Sequence, residues 1–213
     1  MNFLSHYYFY RSDDPYYNTG LVLPDLVKNF CKAHLRPGNN FVNPAFSALS
    51  EGSLMHLEAD RKFHNSSFFH ETLALTSGLL DASCGWPRKW FLNHLLCEIL
   101  IDRVLIDRHE TLCADFYRQL ENTDANKIAL FLKLSGVLNY QNFAPGLERF
   151  VSIRFIFEYL HNEKIVLALN RVYQRLGIAY NWTQEDQTLL LSQIPEILNY
   201  IDTNLSKLEF ELK

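Results

Sequence analysis

The residues of this chain that could do chemistry are histidines and acids spaced four positions apart. His56, Asp60 and His64 form the first such series. On an α-helix a four-residue step keeps side chains on one face, so these groups can converge on one ion or one water molecule. The alternative is a solvent-exposed imidazole–carboxylate pair, which stabilises a helix by roughly a few tenths of a kcal/mol.

A second series, His94, Glu98 and Asp102, lies in a segment of Leu, Ile and Val. A helix that is apolar on nearly all sides is usually buried, and an unpaired buried carboxylate costs several kcal/mol. The two acids also repel each other at this spacing. The pattern therefore predicts a positive partner for Glu98 and Asp102, either a metal ion or an arginine such as Arg61 or Arg103. For His94 alone we expect a core or capping role.

Carboxylates combined with imidazoles form a hard, mixed oxygen and nitrogen ligand set. Such a set suits Mn²⁺ or Mg²⁺ best, with Fe²⁺ and Zn²⁺ as alternatives. A divalent ion of this kind lowers the pKa of bound water and neutralises charge on a phosphoryl oxygen, so phosphodiester hydrolysis is the expected reaction class. Four nearby cations could hold a phosphate: Lys28, Arg61, Lys62 and Arg103.

Helical periodicity runs through almost the whole chain and predicts an all-α fold of nine or ten helices. We expect one domain, a multi-helix bundle over residues 1–213. Loops are predicted over residues 37–44 and 136–146, and Pro87 is expected in the first turn of the helix that carries the second series. A C-terminal cap at Gly177 and an N-terminal capping box at Thr183 and Asp186 are also predicted. The one candidate strand, residues 178–180, is too short to matter.

Composition excludes several classes of protein. With 213 residues, 48% of them hydrophobic and 21% charged, the chain can bury one good core. A formal net charge of −4 and the lack of a basic block argue against a nucleic-acid partner. The sequence has no apolar run long enough to predict a membrane span or a leader. Its four cysteines form no C-x-x-C pair and are typical of reduced thiols, so we expect a cytoplasmic protein. The aromatic-rich opening is expected to pack in the core.

Three motifs, in this order and spacing, resemble those of the bacterial acyl carrier protein phosphodiesterases, also called acyl carrier protein hydrolases. With the second series included, the resemblance covers about the first 110 residues. The matching residues are Met1-Asn2-Phe3-Leu4-x-His6, then Gly20-x-x-x-x-Asp25-Leu26-Val27-Lys28, then Gly52-x-x-Met55-His56-x-x-x-Asp60.

The resemblance implies a helical fold distantly related to the HD phosphohydrolases, a manganese or magnesium ion, and a role in lipid metabolism. The implied activity is removal of the 4'-phosphopantetheine arm from holo acyl carrier protein, which would be the partner. Position by position, it implies that five residues bind the metal: Asp25, His56, Asp60, Glu98 and Asp102.

The resemblance also places Asp102, Arg103 and His64 in the catalytic part of the site. The contacts with phosphate or carrier expected at Lys28, Arg61 and Lys62 rest on their charge. Two positions depart from the family pattern. Arg103 replaces the histidine of an Asp-His doublet, and His64 replaces a second aspartate. Two other interpretations therefore stay open: a phosphohydrolase acting on a nucleotide or other small phosphoester, and a non-catalytic protein that binds the carrier.

Overall fold

The computed structural model describes residues 1–38, 41–80, 86–178 and 180–213. Helix makes up 79% of the described residues and no strand occurs in these ranges, so the all-α prediction is confirmed. Eleven α-helices fall within the described ranges: α1 (Phe3–Tyr10), α2 (Pro15–Gly20), α3 (Leu23–Phe30), α4 (Pro44–Asn65), α5 (Ser67–Leu80), α6 (Lys89–Arg108), α7 (Leu112–Glu121), α8 (Ala125–Leu134), α9 (Phe143–Ile153), α10 (Asn162–Arg175) and α11 (Gln184–Leu212). Two 3-10 helices, Tyr140–Asn142 and Phe155–Leu160, flank α9.

The predicted loop over residues 136–146 is wrong in its second half, because α9 begins at Phe143. Pro145 and Gly146 suggested a break, but proline is tolerated in the first turn of a helix, where its missing N–H has no partner to lose. Gly146 serves close packing. A Cβ atom there would lie 2.5 Å from Cγ of Phe30, so only glycine lets that ring approach α9.

The predicted caps of the last two helices are confirmed. Gly177 has φ +64°, the left-handed conformation that ends α10 after Leu176. The Thr183 side chain accepts from the Asp186 N–H, and the Asp186 carboxylate accepts from the Thr183 N–H. Pro87, by contrast, precedes α6 rather than opening it. The candidate strand at 178–180 includes a position outside the described residues, and so does the expectation of four reduced thiols, at Cys84.

The chain folds as two compact units. The first contains residues 1, 3–61 and 109–155, and therefore helices α1 to α3, most of α4, and α7 to α9. Its core is aromatic, since the ring of Phe150 packs against Phe3, Phe30, Phe116 and Phe155 at centroid distances of 5.3 to 6.4 Å. The aromatic opening of the chain thus contributes to a core, as the sequence predicts.

Two glycines allow α2 and α4 to touch through their backbones. A Cβ atom on Gly20 would lie 2.6 Å from the Leu49 carbonyl oxygen, and one on Gly52 would lie 2.2 Å from the Tyr17 carbonyl oxygen. Ser53 strengthens the crossing, since its hydroxyl lies within hydrogen-bond distance of the carbonyls of Gly20 and Leu49. The residues that follow Gly20 and Gly52 are consequently held close together.

The second unit contains residues 2, 62–108 and 156–213. In it α5 packs against α6 and α11, and α10 packs against α6 and α11. The buried face of α11 repeats at helical spacing and consists of Leu190, Ile194, Ile197, Ile201, Leu205, Leu208 and Leu212. None of the described helices combines the length and apolarity needed to cross a membrane. One domain over residues 1–213 stays a prediction.

Candidate metal centres

The first centre lies in the first unit, where three helices supply its ligands. His6 comes from α1, Asp25 from the first turn of α3, and His56 and Asp60 from successive turns of α4. One ligand atom each from His6, Asp25 and His56 lie within 4.8 Å of one another. His56 and Asp60 share a helix face, as their spacing predicts, with 3.7 Å between Nε2 and Oδ2. Asp25, which the resemblance implies as a ligand, lies close to His56, and the structure adds His6.

The His56 imidazole is fixed by the crossing of α2 and α4. Its Nδ1 lies 2.8 Å from the carbonyl oxygen of Leu21, the residue after Gly20. A carbonyl oxygen only accepts, so Nδ1 carries the proton and Nε2 of the neutral ring carries the lone pair. Metal-binding histidines commonly use this arrangement, in which a second hydrogen bond fixes the tautomer and the orientation of the ring.

His6 is buried without a well-aligned hydrogen bond to either ring nitrogen. Its side chain is fully buried and stacks on the His56 ring at a centroid distance of 4.0 Å. Neither ring nitrogen has a hydrogen-bond partner among the described residues. Its Nε2 does lie 3.2 Å from Oδ1 of Asp60, a contact without good hydrogen-bond alignment. Burial, together with the neighbouring His56, lowers the pKa of His6 to about 3, so the ring is neutral.

Asp60 supplies the negative charge beside the two imidazoles. Burial alone would raise the pKa of its carboxyl, but contacts with His6 and the Met1 amino group hold that pKa well below its ordinary value. The Met1 amino group donates to Oδ1 at 2.7 Å, and His56 Nε2 lies 3.7 Å from Oδ2. Asp60 is therefore an ionised carboxylate, in the state that a metal ligand requires.

The donor set of this centre fits a divalent cation. Two imidazoles and two carboxyl groups supply nitrogen and oxygen ligands of the kind that Mn²⁺, Fe²⁺ and Zn²⁺ accept. A buried polar group normally has a hydrogen-bond partner, and leaving one without costs about 1–3 kcal/mol. A cation at this point would give a partner to the one His6 nitrogen that carries the lone pair of the neutral ring.

A second cluster lies in the second unit and contains His64, His94 and Glu98. His64 is in the last turn of α4, while His94 and Glu98 are one turn apart on α6. His94 Nε2 lies 3.0 Å from Glu98 Oε1 and 3.1 Å from His64 Nε2, and His64 Nε2 lies 3.4 Å from the same oxygen. Burial disfavours the Glu98 anion, yet hydrogen bonding to the two imidazoles holds its pKa well below the ordinary value.

Asp102 belongs to the second unit, where α6 buries its side chain completely. Its charge contributes to a raised pKa of Tyr159, whose main cause is the burial of the phenol. The expected convergence of Asp102 with Asp25, His56 and Asp60 stays a prediction.

The cations predicted to hold phosphate have different surroundings. Arg103 Nε lies 3.2 Å from Asp107 Oδ2, one turn further along α6, although its Nε and Nη1 make no aligned hydrogen bond within the described ranges. Lys62 donates to the Leu212 carbonyl at the end of α11. Lys28 and Arg61 are exposed, the first one turn beyond Asp25 and the second next to Asp60.

Two residues of these clusters were not among the ligands expected from the sequence. His6 was part of the motif that carries the family resemblance, but it was not among the expected ligands. A histidine within the apolar opening of the chain was the available signal, because such a residue is buried with its helix. His94 was expected to be structural, yet it shares a helix face with Glu98 at the same four-residue spacing.

Comparisons with protein-family models, with curated proteins and with solved structures give no match for this chain.

Proposed function

We propose that this protein is a metal-dependent phosphodiesterase that removes the 4'-phosphopantetheine arm from holo acyl carrier protein. His6, Asp25, His56 and Asp60 would bind the divalent ion, Mn²⁺ or Mg²⁺ by the sequence resemblance. The observation that carries the proposal is the fully buried His6, whose unpartnered ring nitrogens lie beside two carboxylates and a second imidazole. The choice of substrate rests on the sequence motifs alone.

In this proposal the main role of the protein's side chains is to bind the metal ion. His56 presents Nε2 because Leu21 holds its Nδ1 proton, and His6 stays neutral at physiological pH because burial opposes its protonation. The ionised Asp60, together with the carboxyl group of Asp25, would balance the charge of a divalent cation. When bound, the ion would activate water and stabilise negative charge on the phosphoryl oxygens. Neutral His6 is a poor proton donor at pH 7, so we assign it a binding role.

Hydrolysis of the carrier's phosphodiester consumes one water molecule. The water oxygen forms a bond to phosphorus, the bond from phosphorus to the serine oxygen of the carrier breaks, and the serine oxygen takes up a proton. The products are apo carrier and free 4'-phosphopantetheine. Lys28 and Arg61 are exposed next to two of the proposed ligands, so they are the candidates for contacts with the phosphate or with the acidic carrier surface.

The proposal is tested by incubating the protein with holo acyl carrier protein and Mn²⁺ and measuring the intact mass of the carrier. We expect conversion to the apo form by the wild type and its loss in Asp25→Asn, which removes one charged ligand with little change of shape. Asp115→Asn is the matched control, since Asp115 pairs with Arg118 on the surface of α7 in the same unit. It should keep full activity.

Two outcomes would contradict the proposal. The first is an unchanged carrier mass while an active hydrolase of the resembled family converts the same sample in parallel. The second is equal activity in Asp25→Asn and Asp115→Asn. Turnover of a nucleotide or small phosphoester but not of the carrier would instead support a small-molecule phosphohydrolase.

A further inference from the structure

We propose that His64, His94 and Glu98 form a second metal site that binds Zn²⁺ or a similar borderline transition-metal ion, with one coordination position open to solvent. The proposal is independent of the proposed function, because it uses none of the residues of the first centre. It rests on donor geometry, on the hydrogen bonds that the donors can make and on the packing of the two rings.

The three donor atoms have the spacing of ligands around a single ion. Tetrahedral zinc bound at about 2.0–2.1 Å places neighbouring donors about 3.3–3.4 Å apart. Here the three separations are 3.0, 3.1 and 3.4 Å. A point about 2 Å from all three atoms lies roughly 1 Å out of their plane, as expected for three ligands of a tetrahedron. The fourth position is then on the far side of that point.

Hydrogen bonds alone cannot satisfy all three contacts. Each imidazole Nε2 can donate one proton, and the ionised Glu98 oxygen can only accept. If both rings carry the proton on Nε2, His64 and His94 donate to Glu98 and present hydrogen atoms to each other. If only one ring does, the other places its lone pair against the carboxylate. A cation between the three atoms makes every contact attractive.

The surroundings hold the two rings in place and leave the donors accessible. The buried Phe69 ring packs against both imidazoles, at centroid distances of 5.3 Å from His64 and 5.0 Å from His94. Phe63, which is fully buried, packs on His64 from the same turn of α4. The side chains of His64 and His94 are 35% and 29% exposed and that of Glu98 14%. An ion can therefore enter without unfolding of the unit.

The ligand types select the class of ion. Two imidazoles and one carboxylate are the protein ligands of several catalytic zinc sites, which keep a water molecule in the fourth position. Magnesium and calcium prefer oxygen ligands, and this cluster offers them a single carboxylate. Cobalt(II), which accepts similar ligands, is a suitable spectroscopic probe.

The test uses the full chain after removal of metals with a chelator, in the Asp25→Asn background that weakens the first centre. We expect dialysis against Zn²⁺ to give one bound ion per chain, and Co²⁺ to give visible absorption typical of nitrogen and oxygen ligands. His94→Ala should lower the affinity for both ions by tenfold or more. His70→Ala is the matched control, because His70 is exposed on α5 in the same unit.

Glu98→Gln keeps the size of the side chain and covers the case in which His94→Ala fails to fold. It should also lower Zn²⁺ affinity by tenfold or more. Equal Zn²⁺ binding by the background protein and by its His94→Ala or Glu98→Gln variants would overturn the proposal. An equal loss in His70→Ala would do so too, since it would indicate adsorption to surface histidines. Because hydrolysis is not measured, failure of this site is distinguishable from failure of the proposed function.

Discussion

His6 should make the metal-free protein sensitive to mild acid. Its pKa is lowered from 6.5 to about 3 in the folded chain, so below pH 6.5 the unfolded chain binds a proton that the folded chain does not. The stabilisation is therefore present at high pH and is lost as the pH falls from 6.5 towards 3. Between pH 7.5 and 4.5 this one group should reduce the free energy of unfolding by about 2–3 kcal/mol.

The assay is urea unfolding in the presence of a chelator, at half-unit steps of pH from 7.5 to 4.5, for the wild type and His6→Phe. Phenylalanine keeps a ring stacked on His56 but does not titrate. Asp60 has an ordinary pKa of 3.8, so its titration falls largely below this window. We expect the stability of His6→Phe to vary by about 2–3 kcal/mol less than that of the wild type across the window.

His70→Gln removes an exposed histidine by the same kind of change and should leave the slope of the wild type intact. Parallel curves for the wild type and His6→Phe would refute the reasoning, because they would show that His6 binds its proton equally well in the folded and unfolded chain. His6 would then not be the neutral ligand that we assign to the first centre.

Two further predictions concern the crossing of α2 with α4 and the approach of the carrier. Gly52→Ala should cost about 1–3 kcal/mol in urea unfolding, since its Cβ would lie 2.2 Å from the Tyr17 carbonyl oxygen, whereas Gly78→Ala, with open space on α5, should be neutral or stabilising. Equal effects of the two substitutions would contradict the close crossing. Lys28→Glu should raise KM for holo carrier several-fold at low salt and less at about 0.5 M salt, where exposed charges are screened over a few Å. The same charge change at Lys133, which is exposed on α8, should leave KM unchanged. An identical KM for the two variants would exclude a role for Lys28.

Much of the helical architecture could be predicted from local sequence. The apolar run around Glu98 predicts a buried helix, and α6 buries eleven of its residues, among them Asp102. The caps at Gly177 and Thr183 follow from residue type and spacing. The predicted loop was wrong at Gly146, where glycine has a packing role. Periodicity gives no information about the Phe30 ring, which approaches Gly146 from another helix.

The candidate sites show the same limit. Helical spacing predicts that His56 lies on the same helix face as Asp60, and His94 on the same face as Glu98, since the residues of each pair are one turn apart. It cannot predict that His6 stacks on His56, or that His64 contacts His94 on a different helix. Those contacts depend on how separate helices pack, and in the first centre on a backbone crossing that Gly20 and Gly52 allow.

The most direct test of the central claim is the stoichiometry and affinity of Mn²⁺ at the first centre, measured by equilibrium dialysis with detection of free Mn²⁺ by electron paramagnetic resonance. The protein for this experiment carries His94→Ala, which removes a ligand from the second cluster. We predict one Mn²⁺ per chain, and an affinity at least about tenfold lower when Asp25→Asn is added. No bound Mn²⁺, or an affinity that Asp25→Asn leaves unchanged, would contradict the assignment of His6, Asp25, His56 and Asp60 as a metal centre.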